Sequence, residues 1–202
     1  MNRKISLLIS TFFHPVIVNL LSLISLFFLF PFLQFAVSNN LKIFYILFIF
    51  ITTGILPIIL VIILKLSGKL NSIFLNNKDE RTFPYIVTSC IYLFDYYFLM
   101  KFGAPQLLNV YLLACSCIVV TTLIINLYYK ISIHSASFGA FIAVLFSASQ
   151  IANFDLRIFI AISFLILGLT ATARLFLNAH SHLQVYSGFL LGLVIMAAIF
   201  NL

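Results

Sequence analysis

Long apolar stretches, interrupted at only a few points, are the feature of this 202-residue sequence that most restricts its fold. Hydrophobic residues make up 64% of the chain and charged residues 7%, whereas about a quarter of a soluble domain is charged. A helix needs about 20 apolar residues to cross the hydrocarbon core of a bilayer. Helix breakers and charges leave segments of about this length at 16–37, 41–66, 84–100, 106–128, 135–151 and 156–173, and a last one from 183 to the carboxyl end. The sequence therefore predicts an all-α, polytopic transmembrane helical bundle of about six to seven spans.

The same pattern predicts a single integral membrane domain over residues 1–202, because the spans and their short connections leave no room for a second, soluble domain. The net charge of +7 is dispersed, without a basic tract or alternating basic and aromatic residues, which argues against nucleic acid as a partner. Cys90, Cys115 and Cys117 lie inside apolar runs without the spacing of metal ligands. No metal site is predicted.

Three polar interruptions carry most of the charged and histidine residues. They fall at 67–83, 130–134 and 174–182, and two predicted spans separate each interruption from the next. Two crossings return the chain to the membrane face it left. All three interruptions are therefore expected on one face, where their side chains could form one site. The opposite face keeps only Lys42, Lys101, Asp155 and Arg157 as charged residues.

The third interruption holds the most chemically informative residues. If the last helix begins near His180, then His180, Gln184 and Gly188 follow at four-residue intervals on one helix face. Gln184 could accept the Nδ1–H of His180 and leave Nε2 free to act on a substrate. Arg174 carries a forked donor suited to phosphate oxygens. The alternative is an arginine that extends towards the membrane surface and a histidine at the level of the lipid headgroups.

The second and first interruptions supply further polar groups. Ser132 and His134 open a helix, whose free N–H groups favour an anion. Ser132 could bind phosphate or cap the helix, and His134 could protonate a leaving group or lie at the membrane surface. Lys78 and Arg81 are three residues apart, on one side of a turn. The alternative for them is a solvated loop in which the two intervening acidic residues form ion pairs.

In this order, Lys…Arg…Pro, Ser-x-His and Arg-x5-His-x3-polar-x3-Gly resemble the motifs of the type 2 phosphatidic acid phosphatase superfamily. That superfamily includes lipid phosphate phosphatases and undecaprenyl-pyrophosphate phosphatases. The resemblance implies a phosphatase-like core at about 60–202, preceded by two additional spans within 1–59. It also implies a protein of the bacterial inner membrane that hydrolyses a lipid phosphate or polyprenyl diphosphate without a metal or other cofactor.

The resemblance also implies roles for individual residues. His180 would be the nucleophile that forms a phosphohistidine, and His134 the general acid. Gln184 takes the place of the acidic residue that orients the nucleophile. The residues implied to hold phosphate are Arg174, Arg81, Lys78 and Ser132, with Lys65 and Lys69 as alternatives to Lys78.

Several positions depart from the family pattern. Lys78 precedes Arg81 by three residues instead of seven, and Ile133 replaces a glycine between the serine and the histidine. Ala173 replaces a serine before the arginine. Gln184 can orient an imidazole but cannot stabilise its positive form. Two alternatives therefore stay open: a catalytically weak or inactive pseudoenzyme that binds lipid phosphate, and a small membrane transport or assembly protein.

Asp95 lies within the third predicted span, where a lone carboxylate is costly. We expect Asp95 to be functional or paired. The alternatives are a protonated side chain or a hydrogen bond to a tyrosine.

Overall fold

A computed structural model describes residues 2–70, 78–152 and 154–200, and every regular element within these ranges is helical. The α-helices are α1 (Arg3–Phe12), α2 (Pro15–Leu29), α3 (Pro31–Ala36), α4 (Asn39–Ile49), α5 (Leu56–Leu66), α6 (Lys78–Lys101), α7 (Gln106–Tyr128), α8 (Ile133–Ala152), α9 (Arg157–Phe176) and α10 (His182–Phe200). A π-helical segment, Phe50–Ile55, joins α4 to α5.

Seven stretches of the described chain are long and apolar enough to cross a membrane, which confirms the predicted all-α transmembrane bundle. They are Arg3–Leu29, Asn39–Leu66, Asp79–Lys101, Gln106–Tyr128, Ile133–Ala152, Arg157–Phe176 and His182–Phe200. Their outward surfaces are rich in exposed phenylalanine, leucine and isoleucine, as lipid contact requires.

The first predicted span, 16–37, is wrong as a single helix and omits the helix before it. Phe30 has extended backbone angles, so the chain forms α2 and then α3, with Pro31 at the start of α3. Proline suits the first turn of a helix because the N–H it lacks would have no partner there. Ahead of them, α1 is strongly amphipathic and packs against α9. It buries Ser6 and Ser10 and turns its apolar residues outward.

The second predicted span is interrupted close to Pro57. Instead, the helix widens into the π-helical segment just before Pro57, and the N–H of Leu56 bonds to the carbonyl oxygen of Ile51. Proline has no N–H, so it cannot complete a regular ladder with the preceding turn. A π-helical turn is one way to accommodate the interruption, and such turns are frequent at functional sites.

The helix predicted to begin near Pro84 begins six residues earlier, at Lys78. Asp79 and Glu80 lie in its first turn, where their negative charges interact favourably with the positive end of the helix dipole. Pro84 therefore lies inside α6, and Arg81 is on a helix instead of a loop. The Arg81 side chain is buried, with 5% of its surface exposed.

The last two helices also differ from the predicted boundaries near the polar interruption. Helix α9 continues to Phe176, so Arg174 lies in its last turn. Helix α10 begins at His182, so His180 lies in the connection and not on the helix. Asn178 turns the chain with a φ of 51°, in the left-handed region that asparagine tolerates better than most residues.

Glycines allow α8 and α10 to pack against each other more extensively than any other pair of helices. A Cβ atom on Gly192 would overlap the carbonyl oxygen of Ala136, and one on Gly188 would overlap that of Ser132. A Cβ atom on Gly139 would overlap the backbone of α10 in the same way. This close approach places the start of α8 beside the start of α10, where the candidate site lies.

Candidate functional site

His180 lies in the connection between α9 and α10 and is 7% exposed. Its Nδ1 atom lies 3.1 Å from Oε1 of Gln184, one turn into α10. The same oxygen accepts the backbone N–H of Ser181 at 3.1 Å. An amide oxygen only accepts hydrogen bonds, so Nδ1 carries the proton and Nε2 keeps its lone pair. This is the tautomer that a histidine nucleophile attacking through Nε2 requires.

The imidazole of His180 is neutral at physiological pH. Burial, together with the positive charges of Arg81, Arg174 and Lys130, lowers its pKa to about 3. The hydrogen bond to Gln184 opposes the shift but does not cancel it. A neutral imidazole surrounded by fixed positive charge can approach a phosphorus atom whose oxygens are drawn to those charges.

Arg174 supplies a partly buried guanidinium from the last turn of α9. Its Nη1 atom donates a hydrogen bond to Oγ of Ser10 at 2.9 Å. Its Nε atom is buried and has no acceptor among the described residues. A guanidinium has five N–H donors and no acceptor, so an unpaired buried donor is a place where an anionic oxygen would be stabilised.

Arg81 and Lys130 complete the group of cations around His180. Arg81 comes from the first turns of α6, where its side chain also interacts with the hydroxyl of Tyr85. Burial lowers the pKa of Lys130, and the charges of Arg81 and Arg174 add to this effect. Each of the three cations therefore comes from a different part of the chain. We call Arg81, Lys130 and Arg174 the cationic group.

His134 lies in the first turn of α8 and is 8% exposed. Its Nε2 atom lies 3.2 Å from the backbone oxygen of Ser10 and 3.4 Å from the Ser10 hydroxyl. Because a carbonyl oxygen only accepts, Nε2 carries a proton directed at α1. The Nδ1 atom is buried without a hydrogen-bond partner in the described chain. The ring of His14 stands edge-on at 5.7 Å.

Ser132 is fully buried and acts as a helix cap. Its Oγ accepts the backbone N–H of Ser135 at 3.4 Å and the hydroxyl of Ser135 at 3.1 Å. Its own N–H donates to the carbonyl oxygen of Gln184 at 3.1 Å. The structure therefore shows Ser132 as the helix cap, and its role in binding phosphate stays a prediction. The backbone bond joins the His134 turn to the helix that orients His180.

The polar interruptions thus meet on one side of the bundle, as parity predicts. The charges of Arg81 and Arg174 act on His180, and a hydrogen bond connects His180 with Gln184. Arg174 and His134 both contact Ser10. Lys78 opens α6, but its side chain lies outside the described residues, so its predicted role in binding phosphate stays a prediction.

Sequence reasoning missed three residues of this site, namely Ser10, His14 and Lys130. A signal for the first two was present, since Ser6, Ser10 and His14 recur every four residues in an otherwise apolar segment. Such spacing places polar groups on one helix face, and a polar face inside a membrane protein points towards other polar groups. Lys130 opens the second interruption, which the crossing number already placed on the same face as His180, although no role was assigned to it.

Among the described residues, no three His, Cys, Asp or Glu side chains are grouped in a way that could hold a metal ion. Comparison of the chain with models of known families, with curated proteins and with solved structures gives no significant match.

Proposed function

We propose that this chain is a membrane phosphatase, located in the bacterial inner membrane, that hydrolyses a lipid phosphate or polyprenyl diphosphate through a phosphohistidine. The observation that carries the proposal is the neutral His180, oriented by Gln184 and surrounded by the cationic group. Phosphate oxygens would be held by Arg174 and Arg81, whose donors match their geometry.

In the first step, Nε2 of His180 attacks phosphorus and forms an N–P bond. The bond from phosphorus to the leaving oxygen breaks, and that oxygen takes the electron pair. For this step His134 is protonated on both ring nitrogens, so that it gives the leaving oxygen the proton of Nε2 and remains as a neutral imidazole. In the second step, His134 accepts a proton from water as the water oxygen attacks phosphorus. The N–P bond then breaks, and its electron pair returns to His180. The products are an alcohol, or a shorter phosphate, and inorganic phosphate.

Substrate entry would require Ser10 to leave its present position. The Ser10 hydroxyl accepts from Arg174 and lies beside Nε2 of His134, where the leaving oxygen would stand. Helix α1 is suited to such a movement, because its outward face is apolar, with Leu8 70% and Phe12 67% exposed. An amphiphile could then enter sideways from the lipid.

The test is phosphate release by the purified, reconstituted protein from a panel of lipid phosphates and diphosphates, with His180→Ala as the control. We expect release by the wild type alone. A radiolabelled phosphate group should also be trapped on the wild-type protein, in an acid-labile and base-stable form, and not on His180→Ala. Equal release by both proteins would contradict the proposal.

Gln184 favours a second candidate, in which the same site binds lipid phosphate without turning it over. Replacing a carboxylate by an amide next to a catalytic histidine lowers the rate by about 10⁴-fold in serine proteases. In that case His180→Ala would leave binding of a lipid phosphate largely intact, whereas Arg174→Ala would abolish it. Neither the wild type nor His180→Ala would release phosphate.

A further inference from the structure

Asp95 is a buried carboxyl group inside the bundle, separate from the candidate site. Its side chain is 0% exposed, on the part of α6 that faces the π-helical segment. Among the described residues it has one hydrogen-bond partner, the hydroxyl of Thr52, at 2.5 Å from Oδ2. The other oxygen, Oδ1, is buried and unpaired. An ionised carboxylate in this position would keep one hydrogen bond for two charged oxygens.

The surroundings of Thr52 indicate where the proton lies. Its Oγ1 atom is 2.9 Å from the carbonyl oxygen of Phe48 and 3.2 Å from that of Ile49, in addition to its contact with Asp95. A hydroxyl group has a single hydrogen, and carbonyl oxygens only accept. If Thr52 donates to its own helix, then the hydrogen between Thr52 and Asp95 must come from the carboxyl group. All three short contacts are satisfied together only when Asp95 is protonated.

The π-helical segment makes this arrangement possible. Thr52 and Thr53 are consecutive, yet both interact with α6, Thr52 with Asp95 and Thr53 with Tyr92. In a regular α-helix, neighbouring residues point about 100° apart and do not face one partner together. Tyr92 and Asp95 are three residues apart and share a face of α6.

Within the part of the chain that the structure describes, no positive charge acts on Asp95. The titratable groups in this region are Tyr92 from α6 and Tyr111 and Cys115 from α7, and the π-helical segment contributes none. The ion pair between Asp155 and Arg157 lies elsewhere in the chain. Next to the contact with Thr52, the rings of Phe48 and Phe98 stack at 5.6 Å and keep the surroundings apolar.

We propose that Asp95 is held as a neutral carboxylic acid and that Asp95 and Thr52 form a proton-binding site inside the membrane. The carboxyl group donates a hydrogen bond to Thr52 Oγ1, and the Thr52 hydroxyl donates its own hydrogen bond to the carbonyl oxygens of α4. Loss of the proton would leave a charge without a partner between α6 and the π-helical segment. The site therefore couples protonation to the contact between these two elements, independently of the proposed phosphatase activity.

Infrared spectroscopy tests this directly, because the chain has only four acidic residues. We expect the wild-type protein in lipid vesicles at neutral pH to show the carbonyl-stretch band of a protonated carboxylic acid. Asp95→Asn should remove the band, and Glu80→Gln should leave it unchanged. Thr52→Val should shift the band to higher frequency because the acid loses its acceptor, whereas Thr52→Ser should retain it.

A titration of the wild-type protein gives a second reading that needs no variant. The band should persist at neutral pH, where carboxyl groups in water are fully ionised. Absence of the band until the sample is acidified would overturn the proposal. A band that appears only when sodium is withheld would also overturn it, since the carboxylate would then bind a metal cation.

Discussion

Ser10 accepts a hydrogen bond of 2.9 Å from Arg174, although 164 residues separate them in the sequence. The same serine lies against His134, so one short helix is fixed to both sides of the candidate site. In the proposed phosphatase, an anionic oxygen of the substrate would occupy the position of this hydroxyl, between an arginine and a protonated imidazole nitrogen.

Removing the Ser10 hydroxyl should strengthen the binding of phosphate compounds. In Ser10→Ala, Arg174 loses the internal acceptor with which a substrate oxygen must compete. A hydrogen bond to a charged group is worth about 1.5–3 kcal/mol, so we expect KM for a lipid phosphate to fall about tenfold. Ser6→Ala is a matched control, because Ser6 is buried on the same face but donates only to Asn2 of its own helix turn. A rise in KM would instead show that Ser10 itself contacts the substrate.

Replacing Gln184 by aspartate should raise the turnover rate. The amide oxygen orients His180 through Nδ1, and a carboxylate in the same place would also stabilise the positive imidazole that forms with phosphorus bound. We expect kcat to rise about tenfold or more, a small part of the 10⁴-fold effect seen in serine proteases. Gln184→Leu, which removes the acceptor, should lose activity. An unchanged kcat in Gln184→Asp would show that the chemical step is not limiting.

In the folded protein without ligand, His180 should stay uncharged as the solution is made mildly acidic. Free imidazole has a pKa of about 6.5, whereas burial and the cationic group lower that of His180 to about 3. Below about pH 6.5 the unfolded chain gains a proton at this residue and the folded chain does not, so stability should fall as the solution is acidified. In His180→Asn, this part of the acid sensitivity should disappear, which thermal unfolding at several pH values will measure.

Ligand binding provides the matching measurement for the same residue. Nitrogen-15 resonances of the four histidines should show His180 as the neutral Nδ1–H tautomer in mildly acidic solution. Inorganic phosphate, by offsetting the cationic group, should raise its pKa and move its titration towards neutrality. If the His180 resonance titrates near pH 6.5 in the absence of phosphate, the proposal of a neutral nucleophile is contradicted.

The glycines between α8 and α10 should be sensitive to the addition of one methyl group. In Gly192→Ala, the new Cβ atom would overlap the carbonyl oxygen of Ala136, and we expect a loss of about 1–3 kcal/mol in stability. Gly168→Ala is the control, since nothing lies within 4 Å of a Cβ atom there. Alanine favours a helix over glycine by about 1 kcal/mol, so the control should be stabilised. Thermal unfolding in detergent compares the two, and equal melting temperatures would mean that α8 and α10 are less tightly packed.

The sequence was sufficient to predict the number of spans and the side of the bundle on which the polar groups meet, because hydropathy and crossing number determine both. The fourth span agrees with α7 at both ends, 106–128. The sequence did not predict that α6 begins at Lys78. The residues before Pro84 are polar, and a polar stretch resembles a loop as long as the burial of its side chains is unknown. The burial of Arg81 on this helix depends on tertiary packing, which hydropathy does not show.

The candidate site shows a similar division. The contact between His180 and Gln184 follows from a spacing of four residues and is present, although His180 precedes the helix. The contacts of Ser10 with His134 and Arg174 could not be derived in this way, because they join segments that are far apart in sequence. Only the four-residue spacing of Ser6, Ser10 and His14 indicated that α1 faces polar groups.

The glycine contact between α8 and α10 has a consequence for motion. His134 is at the start of one of these helices, and Gln184, which orients His180, is at the start of the other. The two histidines therefore belong to one stiff unit, whereas Arg174 and Arg81 come from α9 and α6, which pack less closely on it. If the protein opens, the distance between the two imidazoles should stay constant while the arginines move. In the proposed phosphatase, the product would then be released because the arginines move away from it, and not because the two histidines separate.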